Sequence, residues 1–474
     1  MEFIKFYFDN KIQQINFSQI SPNTTVLDFL RSYPNRYGTK EGCAEGDCGS
    51  CTVVIGEVIN GKIKYYAVNS CMMFLPSLHG KLLITVEDLY NQQLHPIQQT
   101  FIEKFASQCG FCTPGFEMSL YALYKENPNP SEQEILEAIE GNLCRCTGYH
   151  SIKDAAKTFF KIKNNDHISS LEPQIINALK SIENKELIQL KHKEQIYFIP
   201  FTLKKAFELI DTYPEATIIN GSTDIAIRRN KLKEIIKIII DLSFIPDIKQ
   251  IKIENNQILI GAGITVQHLK NFVREYIPSF YQYLKVFAAK QIRNRATIGG
   301  NIMTASPIGD LIPALITMNA QITVKDKKNE QTFLLEDFIT GYRKTRIQKD
   351  QILTQITIPL KNDWFYKFYK ISKRNSLDIS TVSLSAGIKI QDNYIKNIRL
   401  TYGGMDAIAR RAHSIEKFLL NKPFDEQIFK QASNLISKEF KPISDARSSA
   451  KARTILAKNL ILKFYNDLTQ NSKK

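Results

Sequence analysis

The sequence predicts a multidomain α+β fold, and three observations carry that expectation. A length of 474 residues corresponds to about three domains at roughly 150 residues each. The apolar pattern changes along the chain: it alternates over 2–85, turns helical over 96–160, and mixes the two from Tyr197 onward. All eight cysteines lie between Cys43 and Cys146, so one stretch differs chemically from everything after it. Hydrophobic residues at 43% and charged residues at 23% are those of a folded chain and argue against disorder.

The 63 basic and 47 acidic residues leave a net charge of +16, a balance that invites a nucleic-acid or membrane-surface partner. The basic residues are spread over the whole chain without a local block, so neither partner is expected. The first ten residues alternate apolar side chains with Glu2, Lys5 and Asp9, unlike the apolar core of an export signal. No stretch approaches the roughly 18–20 apolar residues that span a bilayer. A cytoplasmic location follows as the expectation, and in that reducing compartment the cysteines are thiols rather than disulfides.

Residues 2–85 read as short strands with one helix. Segments 2–8 and 12–17 alternate, and Asn60-Gly61 between 57–59 and 62–68 is a type I′ hairpin signal. A helix over 25–32 carries Val26, Leu27, Phe29 and Leu30. Within this region lie Cys43, Cys48, Cys51 and Cys71, spaced C-x4-C-x2-C with a distant fourth. Four thiolates suit zinc or an iron–sulfur cluster, and this spacing matches the plant-type [2Fe–2S] loop. Gly42, Gly46 and Gly49 fit a loop that brings backbone N–H groups close to bridging sulfides. Strands, one helix and such a loop together suggest a β-grasp ferredoxin.

Residues 96–160 read as four amphipathic helices. Ile97, Phe101, Ile102 and Phe105 form the first apolar stripe, and Phe116, Leu120, Leu123 and Tyr124 the second. Ser131 with Glu134 is a capping box opening a third helix through Ile135, Leu136 and Ile139. Ser151 is expected to cap a fourth, with Ile152, Ala155, Ala156 and Phe159 inward. Short loops joining four helices imply a small bundle. The second cysteine set, Cys109, Cys112, Cys144 and Cys146, falls in two of those loops, which places one site at one end of the bundle. Its C-x2-C and C-x-C spacing taken alone leaves both zinc and iron–sulfur open.

The rest of the chain has no cysteine. Residues 161–198 are polar, with NNDH at 164–167 and KHKE at 191–194, and read as a linker carrying a helix near 174–182. A helical face of Leu203, Ala206, Phe207 and Ile210 then precedes a strand at 216–219 and the loop Asn220-Gly221-Ser222-Thr223-Asp224. A strand followed by a glycine turn with small polar residues can cradle phosphate or be an ordinary αβ turn. The GAG at 261–263 lacks a third glycine, with Val266 in its place, and no G-x-x-x-x-G-K is present, so neither dinucleotide motif applies. RNRATIGGNIMTASPIGD at 293–310 is richer. Gly299 and Gly300 allow close approach to a pyrophosphate, and Thr297, Asn301, Thr304 and Asp310 can hold ribose or ribityl oxygens; a β-helix-like turn without ligand is the alternative. Strands at 381–390 and 394–402, joined at Asp392-Asn393 and ended by Gly403-Gly404, precede helices near 411–420, 426–439 and 447–465. The expected divisions are 1–88, 89–162, a linker at 163–195, 196–366 and 367–474.

EGCAEGDCGSCTV at 41–53, QCGFCTPG at 108–115 and NLCRCTGY at 142–149 resemble the paired [2Fe–2S] domains of molybdenum hydroxylases, which include xanthine dehydrogenases, aldehyde oxidases and carbon monoxide dehydrogenases. IINGSTDI at 218–225, the 293–310 segment, GYRKT at 341–345 and YKISKRNSLDI at 369–379 resemble the FAD-binding subunit of xanthine dehydrogenases. The resemblance implies a β-grasp cluster domain, a four-helix cluster domain, an α+β FAD-binding domain and a C-terminal α+β domain. It implies that Thr217, Ile218, Ile219, Asn220, Gly221, Ser222, Thr223 and Asp224 hold the FAD pyrophosphate. Phe287, Thr297, Asn301, Thr304, Asp310, Leu353 and Lys370 match further FAD contacts, and Asp378 sits in the loop near the isoalloxazine. Ser222 departs from the Gly or Asn of relatives, and Asn375, Ser376 and Leu377 replace a more charged run.

Function follows from the same resemblance. The substrate chemistry belongs to a molybdopterin centre whose large domains are expected on a partner subunit, in a dimer of heterodimers. The implied role is that of a xanthine dehydrogenase small subunit. It takes electrons from the partner through the helical-domain cluster and the ferredoxin cluster to FAD, and on to NAD⁺, during hypoxanthine or xanthine oxidation. An equivalent subunit for aldehydes or other N-heterocycles is the alternative. No side chain here is needed as catalytic acid or base, and the seven histidines show no H-E-x-x-H spacing. Gln108, beside Cys109, is the residue the resemblance places against the partner's pterin; ending its own helix is its alternative role.

Overall fold

In the computed structural model, which describes residues 1–162, 166–183 and 185–471, alternation in the sequence becomes a five-stranded sheet. Its order is Lys11–Asn16, Phe3–Phe8, Leu82–Ile84, Thr52–Ile59, Lys62–Asn69. Phe3–Phe8 runs parallel to Leu82–Ile84 and the other pairs are antiparallel. Asn60 and Gly61 sit in the left-handed region at φ 51° and 76°, as a type I′ turn requires. The helix Val26–Ser32 buries Val26, Leu27, Phe29 and Leu30 among Ile4, Phe6 and Phe8. Its start is fixed by a capping box between Thr25 and Asp28. One helix on a mixed sheet is the β-grasp arrangement.

The four expected helices form as Pro96–Glu103, Thr113–Glu126, Glu132–Ile139 and His150–Phe159. The Ser131–Glu134 capping box is present. Two details differ from expectation. Ser151 lies inside the fourth helix, which starts at His150 behind Tyr149; Tyr149 is left-handed at φ 67° and makes no side-chain cap. In the first helix Ile97 and Phe101 are buried, whereas Ile102 is 60% and Phe105 83% exposed. The helix ends at Glu103, so the 3.6-residue period that would carry Phe105 inward stops before it.

The 163–195 segment is more than a linker. Residues 163–165 and 184, which include part of the NNDH stretch, lie outside the described residues. The remainder holds the helix His167–Ser181, which buries Ile168, Ile175 and Leu179, and the strand Ile188–His192. That strand opens a four-stranded sheet ordered Ile188–His192, Gln195–Ile199, Ile238–Asp241, Thr217–Ile219, whose last two pairings are parallel. The helix covers most of the one expected near 174–182 and begins earlier, whereas polar composition hid the strand, which buries only Ile188 and Leu190.

By compactness the chain divides into one unit of 1–245 with 289–296, and a second of 246–288 with 297–474. The second unit has a five-stranded sheet ordered Ile251–Glu254, Gln257–Gly261, Ile352–Pro359, Gln321–Lys325, Glu330–Leu334. It also has a four-stranded sheet ordered Phe365–Ile371, Val382–Gln391, Tyr394–Gly403, Arg410–Arg411. Asp392 and Asn393, both left-handed, make the hairpin between the two long strands. Helices Glu426–Asn434 and Ala450–Asn471 pack on this sheet through Phe429, Ala457, Ile461 and Phe464. The 293–310 segment is helical where a β-helix-like turn was the alternative: Lys290–Arg293 and Ile298–Thr304 flank Thr297. Among the described residues no helix is long and apolar enough to cross a membrane.

Candidate functional site

The sheet register assembles the first cysteine set. Thr52 pairs with Asn69, so Cys51 and the short turn Ser70–Met72 that carries Cys71 emerge side by side. Cys51 Sγ and Cys71 Sγ lie 3.3 Å apart. The loop before the strand curls on itself through left-handed Ala44, Gly46 and Gly49. That curl aims the N–H groups of Asp47 and Cys48 at Cys43 Sγ, each at 3.3 Å, while Cys43 N donates to Cys48 Sγ at 3.3 Å. Gly42 is required here, because a Cβ would stand 2.7 Å from Cys48 Sγ. Hydrogen bonding from Cys43 lowers the Cys48 thiol to about 6, and the same contact, with burial, pushes Cys43 up. A hydrogen bond from Cys71 lowers Cys51 while Cys71 is raised. Within each pair the contact favours ionisation of one sulfur over the other.

The second set closes one end of the helical bundle. Cys109 and Cys112 precede Thr113–Glu126, and Cys144 and Cys146 precede His150–Phe159. Cys109 Sγ and Cys146 Sγ are 3.7 Å apart, both on exposed residues. Burial, then a hydrogen bond with Cys144, raises Cys112 to about 12. Burial opposes ionisation of Cys144, but the Thr147 hydroxyl at 3.3 Å and neighbouring backbone N–H groups lower it on balance. Cys144 N–H donates to the Tyr149 hydroxyl at 3.0 Å, which holds the C-x-C turn.

These sulfurs fall into pairs. Two thiolates on one tetrahedral metal with bonds of about 2.3 Å stand about 3.7 Å apart. Among the described residues no three or more Cys, His, Asp or Glu side chains converge on a single metal position. A two-iron cluster takes two thiolates on each iron. The donor chemistry and the pairing fit [2Fe–2S] at both sets.

A buried polar network joins the two cysteine loops. Leu143 N–H, one residue before Cys144, donates to Cys48 O at 2.9 Å. Asn142 Nδ2 donates to Gly49 O at 3.0 Å, and its Oδ1 accepts from Ser119 Oγ at 2.7 Å and Gln291 Nε2 at 3.1 Å. The approach is so close that a Cβ on Gly49 would meet Gly141 O at 2.2 Å and one on Gly115 would meet Gly49 O at 2.3 Å. Arg293, with a fully buried side chain, pairs with Glu140 at 3.1 Å and fixes the 289–296 segment to the cluster domains. Sequence reading missed Asn142, Gln291 and Arg293, whose contacts span up to 172 positions.

The remaining expected site residues lie in both units. In the first, the Thr217–Ile219 strand leads into Gly221 at φ 89°, where a Cβ would meet Arg295 O at 2.0 Å. Ser222 is buried and left-handed at φ 62°. In the second, Thr297 Oγ1 caps its helix by accepting from Gly300 N at 3.1 Å, and Thr304 Oγ1 donates to Gly300 O at 3.0 Å. Gly299 packs on Ala262, whose carbonyl accepts its N–H at 2.9 Å. Asn301 Oδ1 is buried without a hydrogen-bond partner, an orphaned acceptor that fits a polar ligand such as FAD. Lys370 Nζ donates to Asp310 Oδ2 at 2.8 Å and to Val286 O at 3.1 Å, and Ser380 Oγ bonds the other Asp310 oxygen. Asp310 is therefore chiefly a clamp between two strand ends, more than the free ribose acceptor the sequence suggested. Leu353 and Phe287 are buried, and Asp378 binds Arg374 within its own loop. Gln108 is exposed and stands five residues past the helix end at Glu103, so helix capping is not its role.

Four families match along the chain. They are described as a 2Fe-2S iron-sulfur cluster binding domain over 10–75, a [2Fe-2S] binding domain over 85–157, an FAD binding domain in molybdopterin dehydrogenase over 189–361, and a CO dehydrogenase flavoprotein C-terminal domain over 367–468. The chain is 31% identical to xanthine dehydrogenase of Oryza sativa, over 94% of this chain and 38% of that protein. It is 30% identical to xanthine dehydrogenase of Emericella nidulans, over 98% of this chain and 38% of the relative. It therefore spans under two fifths of the length of these relatives. Among solved structures it is similar in fold to carbon monoxide dehydrogenase of Hydrogenophaga pseudoflava, with a TM-score of 0.54 and 22% identity over 56% of this chain and 94% of that one.

Proposed function

We infer that this chain, which belongs to the molybdenum hydroxylase family as its iron–sulfur and flavin portion, is the electron-transfer subunit of a xanthine dehydrogenase. The observation that carries this reading is the pairing of eight thiols into two two-iron donor sets, joined by the Leu143 N–H to Cys48 O hydrogen bond. When bound, the clusters supply one-electron carriage, and FAD supplies two-electron collection and hydride transfer to NAD⁺.

Cys43, Cys48, Cys51 and Cys71 are the proposed ligands of the ferredoxin-type cluster, and Cys109, Cys112, Cys144 and Cys146 those of the helical-domain cluster. Thr217–Asp224 in the first unit, and Phe287, Thr297, Gly299, Gly300, Asn301, Thr304, Asp310, Leu353, Lys370 and Asp378 in the second, are the proposed flavin contacts and their supports. The Cys48–Leu143 hydrogen bond gives electrons a route between ligand loops with one non-covalent step. The molybdopterin is proposed on a large partner subunit that oxidises hypoxanthine and xanthine in the cytoplasm, in a dimer of heterodimers. Exposed Ile102, Phe105 and Phe111 around exposed Cys109 and Cys146 support a partner on this end of the bundle, with Gln108 toward its pterin.

Two measurements test the assignment. The chain expressed alone should reduce dyes with NADH and leave xanthine untouched; xanthine oxidation by the isolated chain would contradict it. Co-expressed with the partner, Gln108→Ala should slow substrate-driven reduction of the clusters several-fold and leave NADH-driven flavin reduction unchanged. An equal fall in both rates would make Gln108 a folding residue.

A further inference from the structure

Two buried side chains, Ser222 of the Thr217–Asp224 loop and Asn230 of the helix after it, reach toward the first cysteine set, and no sequence motif accounts for these contacts. Asn230, near the end of the helix Ile225–Leu232, is 6% exposed. Its Nδ2 donates to Cys71 O at 2.8 Å and to Ala44 O at 3.1 Å, and its Oδ1 accepts from Arg229 Nη1 at 3.1 Å. Two carbonyls on one side and a guanidinium on the other leave no ambiguity about which way the amide points. Ser222, before the start of the same helix, has its Oγ within donating distance of Met72 O at 2.9 Å and of Gly221 O at 2.7 Å. The backbone N–H of Ala226 returns to Ser222 O at 2.9 Å, so Ser222 and Asn230 move with one helix.

The two carbonyls held by Asn230 flank different sulfur pairs. Ala44 follows Cys43, of the Cys43–Cys48 pair, and Cys71 belongs to the Cys51–Cys71 pair. One amide therefore sets how far apart the two pairs stand, which a two-iron rhomb requires to be fixed. Its N–H groups also draw negative charge away from the carbonyl of Cys71 and that of Ala44, the neighbour of Cys43. A crevice of about 720 Å³ is lined by Asn230, Ala44, Cys71, Arg229 and Lys233, so the amide and the two residues it holds share one wall of that space. Hydrogen bonds and solvent access are the protein's means of tuning such clusters.

We propose that Asn230 and Ser222 are positioning residues that lock the flavin-side loop to the Cys71 turn, so that the geometry of the ferredoxin-type cluster and the retention of FAD are set together. This rests on the cluster and flavin reading given above. It adds a direct structural tie between the final one-electron carrier and the loop that holds the two-electron one.

The test uses the full chain with its clusters and flavin. Midpoint potentials of both clusters are read by EPR-monitored redox titration, and FAD per chain is read after extended dialysis. Asn230→Asp sets a carboxylate against the two carbonyls. It should lower the potential of the ferredoxin-type cluster and leave the helical-domain cluster at its parent value. Asn230→Ala should shift the same cluster in the same direction by less. Ser222→Gly removes the hydroxyl without adding strain at a left-handed position, and should release FAD several-fold faster. Ser222→Asn, whose amide can donate and tolerates the same φ, should retain it. Unchanged potentials in both Asn230 variants, or equal shifts at both clusters, would overturn the proposal, as would parent-like FAD retention in Ser222→Gly. Failure of the underlying reading looks different: the parent chain itself would lack two distinct [2Fe–2S] signals.

Discussion

The two cysteine sets have the same donors and opposite surroundings. Cys51 and Cys71 are buried beneath a sheet, and the loop around Cys43 and Cys48 is closed by its own backbone N–H groups. Cys109 and Cys146 are exposed at the end of a helical bundle beside Ile102, Phe105 and Phe111. Each set has one half-buried pair, and they part at the other. The contrast lies in access: Cys109 and Cys146 face the surface, whereas Cys51 and Cys71 do not. Apolar side chains at 60% and 83% exposure, as Ile102 and Phe105 are, mark a surface meant to be covered.

The strongest way to break the comparison is to remove one set. Cys144→Ser should abolish the helical-domain cluster signal completely and leave the ferredoxin-type signal intact. Cys51→Ser should do the reverse and add a broader loss of stability, because Cys51 lies under the sheet. Loss of both signals in either variant would mean that the sets are not independent sites.

A smaller effect sharpens the joint between them. Arg293→Ala leaves Glu140 without its partner and should cost about 3 kcal/mol, the lower end for breaking a buried pair, since Glu140 keeps some solvent contact. Thermal unfolding of holo-protein measures this, and an unchanged midpoint would show that the 289–296 segment is held without the Arg293–Glu140 pair.

The smallest effect is a pH slope in the helical domain. Burial raises the Glu117 carboxyl to about 8. Between its unfolded value near 4.5 and about 8 the folded chain binds the extra proton, so this group's contribution is complete below 4.5 and is lost as pH rises toward 8. Glu117→Gln should flatten that decline and raise stability at pH 8 by a few kcal/mol, with little change at pH 5. His95 works in the opposite sense. Burial lowers its imidazole to about 4, so its contribution is lost as pH falls from about 6.5 toward 4. A parent-like alkaline slope in Glu117→Gln would show that the carboxyl is solvated in solution.

Much of this was legible in the sequence because local chemistry dictated it. Asn60-Gly61 and Asp392-Asn393 announce hairpins since they accept left-handed backbone, and both hairpins form. The cysteine spacings pointed to two ligand sets before any contact was known. Tertiary context decided the rest. Ile102 and Phe105 satisfy a helical stripe on paper, but Ile102 stands on the outer face of the helix and Phe105 lies beyond its end at Glu103. Tyr149, rather than Ser151, precedes the fourth helix because its hydroxyl is needed at Cys144 N. Asn142, Gln291 and Asn230 are ordinary polar residues in sequence and gain meaning only from partners up to 186 positions away. Asp310 showed the converse, since a residue expected to hold a ligand oxygen proved to be engaged by Lys370 and Ser380.

The central claim is that the eight thiols hold two separate two-iron clusters in unlike environments. Metal analysis combined with EPR of the anaerobically prepared, dithionite-reduced chain tests it most directly. The account requires about four irons and four labile sulfides per chain, and two distinguishable spin-half signals of equal integrated intensity. One signal, or stoichiometric zinc in place of iron in fully loaded protein, would contradict it.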